Sequence, residues 1–209
     1  MNNTFRILLI VAAIVIVTFI TAITFVVGIY NGLVGTSQAV DSAWAQVQNV
    51  YQRRSDLIPN LVQTVAGSAN FEKSTMVQVT EARASVGRVQ VNPNQAPTDP
   101  AQLAAYQKAQ GELGSAISRL LVVSENYPDL KSNASFRDLQ AQLEGTENRI
   151  AVERGRFNEA VQVYNVKVRS FPVVLLAGMM GYTPRPYFAS TAGAEVPPAV
   201  KFDFSGAKQ

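Results

Sequence analysis

Hydrophobic and polar positions fall into three regimes along the chain. From Ile7 to Ile29 the run ILLIVAAIVIVTFITAITFVVGI carries no charge, and the first charged residue after Arg6 is Asp41. A helix needs roughly 20 apolar residues to cross a hydrocarbon layer of about 30 Å, so this run is predicted to span a bilayer. The competing reading is a cleaved leader. Its apolar part would cover only about 7–15 residues and end at a small-residue cleavage site, and neither feature fits here.

Beyond the span the pattern changes to helical period. Val40, Trp44, Val47, Tyr51, Arg54, Ile58, Leu61 and Val65 recur at alternating spacings of four and three, the seam of a packed helix. Nothing but Gly32 and Gly35 interrupts the path from the span, so one rod is expected to run from the membrane into the domain. Pro59 is expected to kink it or to start a new segment after Ile58. A second helix is predicted over 71–89 with Asn70 as its cap, and the proline-rich VNPNQAPTDP that follows is read as a loop. A third is predicted from Ala101 to about Tyr127, stopped by Pro128. The fourth, capped by Ser135 with Asp138 as capping-box partner, carries Phe136, Leu139, Leu143, Ile150, Phe157, Val161, Tyr164, Val168 and Phe171 as its apolar positions until Pro172.

The resulting expectation is an all-α fold, an N-terminal transmembrane helix followed by a long antiparallel helical bundle. Residues 1–6 form a short flank, 7–29 the span, 30–190 the bundle domain and 191–209 a flexible tail. The third regime is apolar again: VVLLAGMMGY after Pro172 is too short to cross a bilayer. Leu175, Met179, Tyr182, Arg185, Tyr187 and Phe188 are candidates for a membrane-interface segment, where aromatic and basic residues collect, and packing over the open end of the bundle is the equal alternative. Residues 200–204 alternate like a short strand that has no partner.

Composition narrows the chemistry. The sequence has no cysteine and no histidine, which removes disulfides, thiolate catalysis, the commonest zinc ligand and the usual neutral-pH base. Net charge is +3 with no basic run, so nucleic-acid binding is excluded as a reading. Arg6 and the terminal amine precede the span, whereas residues 30–51 hold only Asp41, so the N-terminus is expected in the cytoplasm and the domain outside it.

The blocks QRRSDLIPNL, NYPDLK, LEGTENRIA and VYN, followed by SFP and PYF, occur in order, and over about residues 30–190 the chain resembles the LemA family of bacterial membrane proteins. The resemblance implies an all-α domain behind one anchor in the bacterial inner membrane, no established catalytic activity and no cofactor. It also implies a setting in membrane protein quality control or magnetosome membrane formation, with a membrane metalloprotease or a second copy as partner. Relatives that begin with a lipidated cysteine differ here, since this chain has none.

Polar residues beside the seams supply the candidate site. Arg53, Arg54 and Asp56 lie on the first helix, and Glu147, Asn148, Glu153, Arg154 and Asn158 on the fourth. They are read either as pairs that fix helix register or as a partner site, with the structural role favoured. Metal binding is not expected without histidine or a calcium-type loop. The repeated Tyr-Asn at 30–31 and 164–165 is read as capping or interhelical hydrogen bonding near the membrane, in preference to a binding role. Taking a bend near residue 36 to face the end of the last helix, antiparallel neighbours should have numbers totalling roughly 202–206 at equal rise per residue, which brings Trp44 to Phe157 and Val161 and sets Arg54 between Glu147 and Glu153. A membrane-anchored, non-enzymatic scaffold or adaptor is the leading function, an extracytoplasmic small-ligand sensor the alternative and carboxylate-only catalysis the third.

Overall fold

The computed structural model describes residues 3–67 and 72–189, with side chains from residue 7 onward. The Asn70 cap, the side chain of Arg6, the 191–209 tail and the 200–204 strand all lie outside the described residues, whereas the second helix begins at Lys73 rather than at residue 71, because Glu72 is extended at its N-terminus.

Helix α1, Asn3–Ala66, is unbroken, with no interruption at residue 36 and none at Pro59. Pro59 removes one backbone donor. The expected new segment does not form, because Ile58, Leu61 and Val65 on either side of the proline are all buried in one apolar cluster. The helices α2 (Lys73–Arg88), α3 (Pro100–Ser124), α4 (Pro128–Ser132), α5 (Ala134–Arg169) and α6 (Val173–Ala177) follow. Pro128 begins α4 rather than simply ending α3, a first-turn position where its missing N–H costs nothing. The cap of α5 is Asn133, whose side chain accepts from the Phe136 N–H at 3.2 Å. Ser135 is therefore inside the helix, and the Ser135–Asp138 capping box does not form.

The four long helices alternate in direction. α1 leads away from the span, α2 returns, α3 leads out and α5 comes back, with Trp44 of α1 donating through Nε1 to Asn92 O (2.8 Å) and Asp41 accepting from Ala96 N (3.0 Å) to hold the α2–α3 loop. Trp44 faces Phe157 at 5.7 Å between ring centroids and Arg54 faces Glu147, one residue below the expected register. Every apolar residue of the α1 seam from Val40 to Val65 is buried, as are Phe157 and Val161. Large apolar residues from Ile7 to Val27 are exposed, and the core begins at Ile29 and Leu33. α1 is thus long and apolar enough to cross a membrane along its bare part, while its remainder is the central helix of the domain. Lys167 of α5 lies with its ammonium against Gly32, so close that a Cβ there would meet it at 2.2 Å.

After α6 the chain turns at Gly181, φ +81°, a conformation glycine adopts without strain, and residues 182–189 run extended along the domain. Asn165 binds both the N–H and the C=O of Arg185 at 2.8 Å each. Asn158 does the same for Phe188 at 2.9 and 3.1 Å, and Gln107 of α3 for Ala189 at 3.3 and 2.7 Å. The spacing explains the fit: two helical turns advance about 10 Å, and so do three residues of extended chain, so the asparagines on one face of α5 meet backbone three residues apart.

Candidate functional site

Arg54 is the centre of the polar layer inside the bundle. Its seam position leaves it 3% exposed, and the surrounding helices supply its acceptors. Nη1 donates to Glu147 Oε1 at 2.5 Å, while Nη2 donates to the main-chain oxygen of Gln110 at 3.1 Å and also to Gln110 Oε1. Gln110 Nε2 donates to the Tyr106 hydroxyl at 2.9 Å, and that hydroxyl donates to Gln48 Oε1 at 2.9 Å. The guanidinium also lies 5.3 Å from the centre of the Tyr51 ring. Burial pushes the Tyr51 phenol up to about 12, against the opposing pull of Arg154 and Arg54, and burial raises Tyr106 as well. Both phenols are therefore neutral groups rather than bases, and the Tyr106 hydroxyl serves as donor and acceptor in the layer. Two buried polar atoms in this layer have no hydrogen-bond partner, Arg54 Nε and Gln48 Nε2.

The layer opens on one side. α1 packs along α5 and α2 along α3, but α3 and α5 stand apart and leave a groove of ≈ 1270 Å³. Tyr51 and Arg54 form its floor. One wall is α3, presenting Ala104, Gly111, Gly114, Ser115 and Ser118; the other is α5, presenting Glu144, Glu147, Asn148 and Arg154. Lys108 lines it too, and Ala189, the last described residue of the extended segment, closes the end nearer the membrane. Glu147 stays half exposed at the rim while its partner Arg54 is buried.

Comparison with known proteins places this fold. The profile of the LemA family matches residues 43–202, more than half of the sequence. The chain belongs to the LemA family. It is similar to the magnetosome protein MamQ 2 of Paramagnetospirillum magneticum, 24% identical over 205 residues covering 90% of this chain and 75% of the relative. The magnetosome protein MamQ of Magnetospirillum gryphiswaldense is 26% identical over 200 residues, with coverage of 88% and 74%. Protein LemA of Metamycoplasma hominis is 23% identical over 145 residues, with coverage of 69% and 62%.

The structure gathers Arg54, Glu147, Asn148 and Arg154 at this family member's groove and leaves the other candidates elsewhere. Arg53 and Asp56 are exposed, Asp56 accepting from Gln52 at 2.7 Å. Glu153 does not reach Arg54, because it accepts from Arg156 on its own helix at 2.8 Å. Arg154 donates to Ala189 O (3.0 Å) and its guanidinium lies 4.7 Å from the Phe188 ring centre, so it and Asn158 hold the extended segment.

The six interface candidates separate as well. Leu175, Met179 and Tyr187 are exposed and Tyr182 is half-buried. Arg185 and Phe188 are not at an outer surface. Arg185 is buried because its guanidinium bonds the Asp41 carboxylate and the Ser37 hydroxyl, and lies 5.4 Å from the Tyr164 ring centre. Phe188 is buried because its ring stacks on Trp44 (6.0 Å, 22°) and meets Phe157 edge-on at 5.2 Å.

Sequence reasoning missed Asp41, Gln107 and Gln110 as functional residues, and it singled out Asn165 without its partner Arg185. The Tyr164-Asn165 dipeptide was the one local signal: Tyr164 donates to Thr183 O at 2.9 Å beside the Asn165 clamp. Among the described residues no group of three or more His, Cys, Asp or Glu is arranged to hold a metal.

Proposed function

We propose that this protein is a membrane-anchored, non-enzymatic scaffold or adaptor that holds a segment of another membrane protein in the groove between α3 and α5. The open side of the domain supports this reading. From Ala104 to Leu121 the α3 wall is about 25 Å long at ~1.5 Å per residue, a length that suits a helix of several turns. Its Gly, Ala and Ser residues allow a partner backbone to approach closely, and the rim offers both signs of charge, Lys108 and Arg154 against Glu144 and Glu147. Small-molecule pockets are smaller, ~300–1,000 Å³, and mostly enclosed, whereas this groove is larger and open along one side. A rigid α1 fixes the height of the groove above the membrane.

The setting proposed is the bacterial inner membrane with the domain on the extracytoplasmic side. Membrane protein quality control with a membrane metalloprotease as partner is the context of the family resemblance, and relatives named as magnetosome proteins point to membrane assembly as another. The test is a groove-filling variant. A side chain at Gly111 enters open space, so Gly111→Trp should leave the fold intact and abolish co-purification of the partner from native membranes. Retention of the same partner by the variant contradicts the groove as the docking site.

One observation favours a second reading. Arg54 Nε is buried without a hydrogen-bond partner on the groove floor, an arrangement suited to a small polar ligand and hence to a sensor. A lone monomer whose melting temperature rises with a small molecule, and which loses that response on Arg54→Met, supports the sensor over the scaffold.

A further inference from the structure

Outside the bare part of α1, exposed large apolar residues are mostly solitary, but four of them crowd into one short stretch. Phe171 is 81% exposed, Met179 85%, Leu175 64% and Val174 48%. The sequence PVVLLAGMMG from Pro172 to Gly181 contains no polar side chain at all. Its inner side is accounted for, since Val173, Leu176, Ala177 and Met180 pack on the core that also contains Ile29 and Leu33. The outer side faces nothing among the described residues. A helix apolar all round requires an apolar neighbour on every side, and the described residues supply only one.

Position identifies the other neighbour. Ile29 is the last residue of the uncharged run and the first of the core, and α6 packs on the cluster it belongs to. The Tyr182 ring meets the Tyr30 ring edge-on at 6.3 Å, 72° between planes, directly after the run. Lys167 lies against Gly32, and with Arg169 it puts two cations in the last turn of α5 at the same height. An apolar face, two tyrosines and two basic residues at the level where a helix leaves the hydrocarbon layer match the composition of the membrane–water interface.

We infer that α6 is a second membrane contact: Phe171, Val174, Leu175 and Met179 insert into the headgroup–acyl boundary beside the exit of α1. The occupant of this face is the lipid bilayer. Lys167 and Arg169 sit among the headgroups, where anionic lipid favours them. These two cations lie far from the span in sequence, so they act on docking and leave the insertion bias set by Arg6 unchanged. Two points of attachment, the span and α6, fix the tilt of the domain and with it the direction in which the α3/α5 groove opens.

The absence of cysteine makes the test clean. Full-length Leu175→Cys and Met179→Cys, each labelled with an environment-sensitive fluorophore, are reconstituted at low density in phosphatidylethanolamine–phosphatidylglycerol vesicles. Ile16→Cys in the middle of the run and Val122→Cys near the end of α3 serve as references, and Trp44 emission reports that each variant is folded. Both α6 labels should emit to the blue of the Val122 label. They should be quenched by lipid-borne nitroxide more than the Val122 label and less than the Ile16 label. Quenching by a water-soluble quencher alone overturns the inference. So does protection that appears only as protein density rises, with energy transfer between labelled copies, because the face is then an interface between copies.

Discussion

Replacing Arg54 tests the polar layer most sharply, because its three hydrogen bonds differ so much in burial. The bond to Glu147 reaches a carboxylate that is 49% exposed, and a pair of that kind contributes about 0–1 kcal/mol. The bonds to Gln110 join a 3% exposed guanidinium to a 5% exposed amide, where a charge-assisted hydrogen bond contributes about 1.5–3 kcal/mol and an abandoned acceptor costs about 1–3 kcal/mol. Arg54→Met should therefore destabilise the domain by about 3–5 kcal/mol, and most of that loss belongs to Gln110 rather than to the acid. Glu147→Gln alone should cost about 1 kcal/mol or less. Combining Arg54→Met with Gln110→Leu should recover about 2 kcal/mol relative to the sum of the single changes, since both orphaned groups leave the core together. The assay is denaturant unfolding of the full chain in detergent, followed by Trp44, the only tryptophan and a fully buried one. An Arg54→Met cost under about 0.5 kcal/mol, or a stronger coupling to Glu147 or Glu153 than to Gln110, refutes the reasoning.

Asn165→Ala removes both clamps on Arg185 and should cost about 1–3 kcal/mol per orphaned backbone group, seen as a lower melting temperature and faster proteolysis near residue 185; an unchanged cleavage rate would count against the clamp. Because the folded Tyr51 pKa is raised from 10.0 to about 12, the unfolded chain ionises first, so its contribution is complete below pH 10 and is lost as pH rises toward 12. The alkaline loss of stability between those values should shrink by about 2–3 kcal/mol in Tyr51→Phe, and an identical pH profile would show that the phenol is not desolvated. A reporter fused after Gln209 that matures only outside the cytoplasm should be active, while activity of a cytoplasm-only reporter there reverses the proposed orientation.

The parts of this fold legible in the sequence are those written in helical period. The α1 seam and the α5 stripe as far as Val168 follow from spacing, and the Arg54–Glu147 pairing from one antiparallel contact that fixes the others at equal rise per residue, although α1 is unbroken at residue 36, where a bend was expected. Helix ends were less legible: Asn133 and Ser135 are both good caps, and only the direction of the Asn133 side chain toward the Phe136 N–H decides between them. The extended segment was not legible at all. Its bonds come from amides on α3 and α5 that are distant in sequence, and residues 182–189 carry no alternating pattern, so Arg185 and Phe188 read as interfacial when they are core. Gln110 was missed for a related reason, since it reaches Arg54 across the bundle from a helix whose register no local signal sets.

The central claim is that the groove between α3 and α5 holds another protein. A photo-crosslinking residue introduced at Ser118 in the groove, and separately at Glu81 on the exposed side of α2, measures this in native membranes. The account predicts one discrete crosslinked polypeptide from Ser118, absent from Glu81 and lost when Gly111→Trp fills the groove. Equal crosslinking from both positions, or a Ser118 crosslink that survives Gly111→Trp, contradicts it.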